Sequence, residues 1–205
     1  MQPPKVPDDT MNEYHRTGAG WLALVWLTCA LALASGCTHR STHWQEDVQL
    51  SDGRVLTVDR SSAYELRSQI GGSSEWAYVQ EGLAFTDPTT GNKVQWKASH
   101  RHVAFLDFIN GRFWLVASSG ACYPDQRGQR LLQVYVFDGS DWTRADPDQA
   151  PPIVAPNLVR WPDYQRSRNW DRVSLQTQRE MLKVMAEETK RPELLTLDVI
   201  NSPRC

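Results

Sequence analysis

The sequence predicts a mainly β fold: an antiparallel meander of about eight short strands, closed into a sandwich or partial barrel, with one C-terminal α-helix. Three observations support this prediction. Apolar and polar residues alternate in short runs, which is the period of a half-buried strand. Asp-Gly and Asn-Gly pairs separate several of these runs, and such pairs favour tight hairpin turns. A helical period appears only near the C-terminus, apart from one apolar run near the N-terminus that predicts a signal helix.

The first predicted hairpin lies at residues 44–59, where Trp44, Val48 and Leu50 share one face of an alternating run. Asp52-Gly53 precedes the second run. Glycine adopts positive φ freely and aspartate tolerates it, so this pair predicts a tight turn between two strands. The chain between 61 and 72 fits either a strand or a helical turn.

Three further hairpins are predicted from short alternating runs on both sides of a turn. They pair 83–86 with 93–96, 103–109 with 112–117, and 132–137 with 141–144. Asn110-Gly111 and Asp138-Gly139 supply the turn residues of the last two. All eight runs are joined locally, which is typical of an antiparallel meander.

Repeated prolines between 146 and 164 predict an extended surface crossing, because proline lacks the N–H that a sheet ladder needs. A helix is predicted over 174–190, with Ser174 as its N-cap and Pro192 beyond its end. The apolar stripe of this helix consists of Leu175, Met181, Leu182, Val184 and Met185. The apolar tail at 194–200 is predicted to dock as a final strand.

An apolar run without any charged residue covers 21–35. A helix that spans a bilayer needs about 20 such residues, whereas the apolar core of a secretory signal has about 7–15. The length therefore favours a signal peptide, and an uncleaved single-pass anchor stays open as an alternative. Counting from Met11 leaves a positively charged leader, so we predict that translation starts there.

The apolar run ends in Leu33, Ala34, Ser35 and Gly36, which are followed by Cys37. This arrangement resembles the lipobox of bacterial lipoproteins. The resemblance implies that signal peptidase II recognises these four residues and cleaves before Cys37, whose thiol carries a diacylglycerol and whose new amine is acylated, for example with palmitate. Two or more acyl chains make a stable membrane anchor.

The lipobox resemblance divides the chain into four parts. Residues 1–36 are the signal peptide, 37–43 the lipidated cysteine and a short tether, 44–145 the hairpin domain, and 146–205 a crossing, helix and tail that pack on the same domain. Thr38, rather than Asp, follows the cysteine, which resembles outer-membrane sorting of lipoproteins in enteric-type bacteria and implies the outer rather than the inner membrane. We therefore expect a lipid-anchored protein of the cell envelope that faces the periplasm.

The mature domain also resembles a group of uncharacterised proteobacterial lipoproteins. The resemblance lies in the hairpin at 44–55 and in Asp138-Gly139 with Trp142. It implies no activity, so no functional residue is transferred from it.

Cleavage would remove Cys29 and lipidation would occupy Cys37, which leaves Cys122 and Cys205. The periplasm permits disulfides, so we expect these two to pair and to tie the tail back to the sheet. Two unpaired thiols are the alternative.

The formal net charge of −2 gives the chain no general field that would steer nucleic acid. One segment is nevertheless rich in arginine and aromatic residues: Arg160, Trp161, Tyr164, Arg166, Arg168, Trp170 and Arg172. Export excludes nucleic acid as its partner. A surface contact with anionic lipid headgroups or saccharide is one interpretation. In the other, the rings pack on the sheet and the guanidinium groups stay solvated.

Candidate catalytic chemistry is sparse. His100 and His102 would project from one face of a strand, but no third metal ligand accompanies them, so two surface histidines and no metal are expected. Cys122 follows small residues, although a nucleophilic cysteine needs a base beside it. We expect a binding or scaffolding lipoprotein without a cofactor, acting on an unidentified envelope partner. An envelope hydrolase that uses His100, His102 or Cys122 is the alternative.

Overall fold

The computed structural model describes residues 38–68, 72–119, 121–122, 127–153, 155–160, 164–190 and 196–205. Within these residues the chain is mainly β, as predicted, with nine strands in two sheets and one main helix near the C-terminus. His39 to Cys205 belong to one compact unit. The predicted signal helix lies outside the described residues.

The first sheet is built from the first two predicted hairpins. Its strands are β1 (His39–Gln49), β2 (Val55–Ser68), β3 (Ser74–Thr86), β4 (Lys93–Ser99) and β9 (Arg172–Val173). They lie in the order β4-β3-β2-β1-β9, antiparallel except for the short parallel pair β1–β9. His39 to His43, predicted as a tether, pair with β2.

The second sheet contains the other two predicted hairpins. Its strands are β5 (His102–Ile109), β6 (Arg112–Ser118), β7 (Leu132–Phe137) and β8 (Trp142–Ala145), in sequential antiparallel order. At the β5–β6 turn, Asn110 and Gly111 have φ values of 53° and 77°. Positive φ at both central positions defines the turn type that matches the twist of a hairpin, which explains why the dipeptide predicted it.

The two sheets pack face to face and share a hydrophobic core, so the predicted sandwich is confirmed in preference to a partial barrel. Val48, Leu83 and Phe85 of the first sheet join Leu106 and Leu115 of the second in one buried cluster. Across the interface, the Phe85 and Phe113 rings lie 4.7 Å apart and the Trp96 and Tyr135 rings 5.8 Å apart. Edge-to-face ring pairs of this kind add to the area that is buried.

The main helix, α2 (Leu175–Thr189), follows a one-turn helix, α1 (Tyr164–Ser167). Ser174 caps α2 by accepting the Thr177 N–H, and Lys190 ends it with a φ of 54°. The predicted apolar stripe is correct at Leu182, which is buried, and wrong at Val184, which is 44% exposed. The buried positions instead include Gln178 and Ala186, spaced at 178, 182 and 186.

The proline-rich crossing is only partly on the surface, which corrects the prediction. Leu158, Val159 and Arg160 are buried. The Leu158 N–H donates to the Ala104 carbonyl of β5. The Asn157 side chain accepts the Leu106 N–H at 2.9 Å and donates to the Leu106 carbonyl at 2.8 Å. These bonds let the crossing run beside β5 although it contributes no strand there.

The tail packs on the sandwich without the ladder that was predicted. Leu197 and Val199 are buried against Ile153 and Val116, but residues 196–199 form no strand. Residues 194 and 195 lie outside the described part. Farther on, a single bridge joins Arg130 and Arg204.

Candidate functional site

The most distinctive feature of the interior is a group of four ionisable side chains, here called the buried ionic cluster: Glu46, Arg60, Glu81 and His102. The first three lie on the adjacent strands β1, β2 and β3, and His102 opens β5. Each of the three takes an inward position of its strand, and none of these three side chains has any exposed surface. The His102 side chain is 7% exposed.

Arg60 joins the two carboxylates. Its Nη1 donates to Glu46 Oε2 at 2.6 Å, and its Nη2 donates to Glu81 Oε1. Nη2 also lies 3.2 Å from the Val159 carbonyl of the crossing. A guanidinium holds its donors in a rigid plane, so one side chain can bind groups from three segments at once.

Glu46 connects the first sheet to the C-terminal part of the chain. Its Oε1 accepts the Val159 N–H at 2.5 Å and the Gln178 side-chain amide at 2.9 Å. The Gln178 amide also donates to the Asn157 carbonyl at 2.5 Å. A carboxylate can accept several bonds, so Glu46 links β1 to the crossing and to α2.

Glu81 connects the first sheet to the second. Its Oε1 accepts the Val103 N–H at 3.1 Å, and its Oε2 lies 3.1 Å from His102 Nδ1. The His102 ring stacks on Tyr78 with 3.8 Å between ring centroids, and the Tyr78 hydroxyl donates to the Arg101 carbonyl. The imidazole is therefore held on one side by a carboxylate and on one face by a ring.

The ionisation of the cluster follows from burial and charge. Burial raises the pKa of Glu46, and Arg60 and the hydrogen bonds offset part of this shift. Burial also raises the pKa of Glu81, but Arg60 and His102 oppose it and bring that pKa below its ordinary value. Burial lowers the pKa of His102, which favours the neutral ring. An ionised Glu81 can only accept, so His102 Nδ1 carries the proton between them.

A carboxylate beside an imidazole is also found in catalytic sites, but this pair is engaged in holding elements together. Three clefts in the described part of the chain are lined by other residues. Among the described residues, no group of three or more His, Cys, Asp or Glu side chains could hold a metal ion. The cluster therefore has the arrangement of an internal support.

A second group, here called the arginine–aromatic cluster, lies where the chain enters the sandwich. It consists of Arg40 on β1, Trp76 on β3 and Tyr164 on α1. The Arg40 guanidinium lies 4.3 Å from the Trp76 ring centroid and 5.2 Å from that of Tyr164, and it donates to the Tyr164 hydroxyl at 3.0 Å. Arg40 is exposed, and both rings are half-buried. The two rings are also in contact, with 5.5 Å between their centroids, so the guanidinium lies beside a pair of packed rings while it remains open to solvent.

The residues of the arginine-rich segment, for which a surface contact was one of two interpretations, lie in different environments. Arg160 is buried, which corrects the prediction for that residue, and Trp161 lies outside the described residues. Arg166 and Arg168 are exposed, as expected for solvated guanidinium groups. Trp170 packs edge-on against the buried Trp44, with 5.2 Å between ring centroids.

The two histidines do not share a strand face. His100 occupies the turn before β5 with a φ of 54°, and His102 is buried beside Glu81. The expectation of two surface histidines is therefore wrong for His102. His102 is buried because it begins β5, where its ring contacts the inward-facing Glu81.

Cys122 and Cys205 are paired, with 5.2 Å between their Cα atoms, within the range that a disulfide requires. Backbone bonds support the connection, since the Cys205 N–H donates to the Gln129 carbonyl and the Leu131 N–H to that of Pro203. Oxidised Cys122 has no thiol, which removes it as a nucleophile. The lipobox residues 33–36 and Cys37 lie outside the described residues.

The widest of the three clefts has a volume of about 640 Å³ and lies between the first hairpin turn and the crossing. Its polar groups are already engaged. Asp107 accepts the Ser51 and Phe108 N–H groups, and Asn157 forms the bonds described above. The cleft therefore offers mainly apolar surface.

Sequence reasoning missed Glu46, Arg60, Glu81, Arg40 and Trp76. For two of these a signal was present in the alternation. Glu46 falls between Trp44 and Val48 on the inward phase of β1, and Arg60 continues the inward phase of Leu56 and Val58. A charged residue on a buried phase needs a buried partner, which the local pattern does not identify.

No helix in the described part of the chain has the length and apolar character that a membrane span requires. No protein-family model, curated protein sequence or solved structure matches the chain.

Proposed function

We propose that the chain is a lipoprotein of the bacterial cell envelope whose β-sandwich binds or scaffolds an envelope component. The observation that carries this proposal is the position of Cys37. It ends an apolar, charge-free run with small residues before it, and β1 begins only two residues later, at His39. An acyl anchor on Cys37 would hold the sandwich against the membrane on the periplasmic side.

The pairing of Cys122 with Cys205 supports an exported protein. Disulfides persist in oxidising compartments such as the periplasm and are rare in the cytosol. Thr38 after the cysteine favours the outer membrane over the inner one.

A binding or scaffolding role is favoured over catalysis by how the reactive side chains are used. Cys122 is oxidised, and His102 is buried against Glu81 and Tyr78. The buried ionic cluster thus holds strands, crossing and helix together. The exposed Arg40 guanidinium and the half-buried rings of the arginine–aromatic cluster instead have surface available to a partner.

Metabolic labelling with radioactive palmitate in a Gram-negative host tests the anchor. We expect the wild-type chain to incorporate label and Cys37→Ala to lose it. Cys29→Ala is the matched control, because it removes a cysteine from the same apolar run and should leave the label unchanged.

Intact mass separates processing from a permanent anchor. Inhibition of signal peptidase II should accumulate a precursor that still contains the segment before Cys37. Label that persists in Cys37→Ala, or a mature chain that keeps its N-terminal segment, would overturn the proposal. Density separation of the two membranes then tests the outer-membrane assignment.

A further inference from the structure

At the end where β1 begins, the inner face of the first sheet extends beyond the elements that bury it. Tyr64, an inward residue of β2, is 1% exposed, whereas Leu66, the next inward residue, is 38% exposed. Leu66 pairs with Trp76 across β2 and β3. The sheet therefore presents an aliphatic and an aromatic side chain on one face, beside Arg40 and Tyr164.

The contacts of Arg40 favour the binding of an anion. Contacts with the Trp76 and Tyr164 rings and a hydrogen bond to the Tyr164 hydroxyl position the guanidinium, and that bond uses one of its five N–H donors. A guanidinium whose planar donors are held in position can form two parallel hydrogen bonds to one phosphate.

The covalent path from Cys37 limits how far this end can be from a membrane. Only Thr38 separates Cys37 from His39, the first residue of β1. Two residue steps reach at most about 7 Å. A headgroup region is roughly 5–8 Å deep on each side of a bilayer. Arg40 is three residue steps from Cys37, which reach at most about 11 Å, so an acyl chain on Cys37 would keep the Arg40 side chain within reach of the headgroups.

We propose that Arg40, Leu66, Trp76 and Tyr164 form a docking surface for phospholipid headgroups. Trp76 and Tyr164 occupy the headgroup layer, where aromatic rings with a polar edge are favoured. Leu66 enters the boundary with the acyl chains, and Arg40 binds lipid phosphate. This proposal rests on the proposed function, because the anchor at Cys37 brings the surface to the bilayer. It adds a second contact that would orient the sandwich.

Quenching of tryptophan fluorescence by brominated lipids tests the surface. The full acylated chain is reconstituted in phosphatidylglycerol–phosphatidylcholine vesicles with brominated acyl chains, and quenching is compared with that in unbrominated vesicles. We expect Trp76→Phe to remove most of the bromine-dependent quenching. Trp142→Phe is the matched control, because Trp142 lies on β8 of the other sheet, and it should leave the quenching unchanged.

Two further variants leave Trp76 in place, so they test the surface even if Trp76→Phe does not fold. Leu66→Gln changes an exposed side chain and should reduce the quenching of the retained Trp76. In the wild-type chain, quenching should be stronger in vesicles that contain phosphatidylglycerol than in vesicles of phosphatidylcholine alone. Arg40→Gln should remove this difference. Equal quenching in Trp76→Phe and Trp142→Phe would overturn the docking surface while vesicle flotation still supports the anchor. A chain that does not float with the vesicles would instead contradict the lipoprotein assignment.

Discussion

Glu46 Oε2 lies 2.6 Å from Arg60 Nη1, and neither side chain has any exposed surface. A buried ion pair of this kind is a weak source of net stability, because both charges lose their hydration. Removing one partner is a different matter, since the remaining charge stays buried without compensation. The pair therefore makes the fold sensitive to single substitutions.

Replacement of Arg60 by Met should lower the free energy of unfolding by about 3–5 kcal/mol, because Glu46 and Glu81 both lose their cation. Urea denaturation of the purified chain measures this change. Arg54→Met is the matched control, because Arg54 pairs with Asp52 on the exposed first hairpin. That variant should unfold at the wild-type midpoint. Equal midpoints for the two variants would show that the buried pair is not needed.

Replacement of Gln178 by Met should lower the free energy of unfolding by about 1–3 kcal/mol, because Glu46 and the Asn157 carbonyl lose a buried donor. Gln176→Met is the control, since Gln176 lies on the same helix and its side-chain amide donates to the exposed Glu180. Circular dichroism in a urea series compares the two. A Gln178→Met midpoint equal to that of the control would contradict the link between β1 and α2.

Acid should weaken the fold through His102. Its pKa is lowered in the folded state, so the unfolded chain binds the extra proton first. Stability from this group is complete above the ordinary histidine pKa of about 6.5 and falls as the pH drops through the folded value. The loss is up to about 1.4 kcal/mol per pH unit for each proton. Glu81, whose pKa is also lowered, adds a loss below about 4.5.

His102→Asn should flatten this pH dependence between 6.5 and 4.5, because asparagine can still donate to Glu81 without titrating. Denaturation series at several pH values measure the slope. His43→Asn, at an exposed position of β1, is the control. A slope that is as steep in His102→Asn as in the control would assign the acid sensitivity to other groups.

Reduction of the Cys122–Cys205 disulfide should destabilise the fold by about 2–4 kcal/mol, since the bond closes a long loop. The two cysteines are 83 positions apart. Thermal unfolding with and without a thiol reductant measures the shift. Cys205→Ser should unfold early under both conditions, and a wild-type melting temperature that ignores the reductant would mean that the thiols are unpaired.

The hairpins were predictable because their information is local. Asp-Gly and Asn-Gly have the backbone freedom that tight turns require, and the alternation beside them identifies the inward residues. Residues 61–68 of the ambiguous stretch are strand because they lie between β1 and β3, which supply ladders on both sides. That pairing is a property of the sheet rather than of the stretch itself.

The buried ionic cluster was not predictable in the same way. None of Glu46, Arg60 and Glu81 was predicted to lie in the core, since a charge without a partner is not expected there. Apart from Trp44 on the same strand, the partners of Glu46 described above come from β2, the crossing and α2, so no short window of sequence contains them. The crossing was predicted as surface from its prolines, which carry no information on the distant elements that bury Val159 and Arg160.

The large sequence separation between Glu46 and two of its partners also affects the order of folding. Val159 and Gln178 lie 113 and 132 positions after it, so both contacts close very long loops. Contacts of this kind form late, because the loop entropy is lost before they contribute. The sheets should therefore assemble while water still reaches the Glu46 carboxylate, and α2 should dock last. Its release would then begin the unfolding of the molecule, so that changes at Gln178 act chiefly on the unfolding rate.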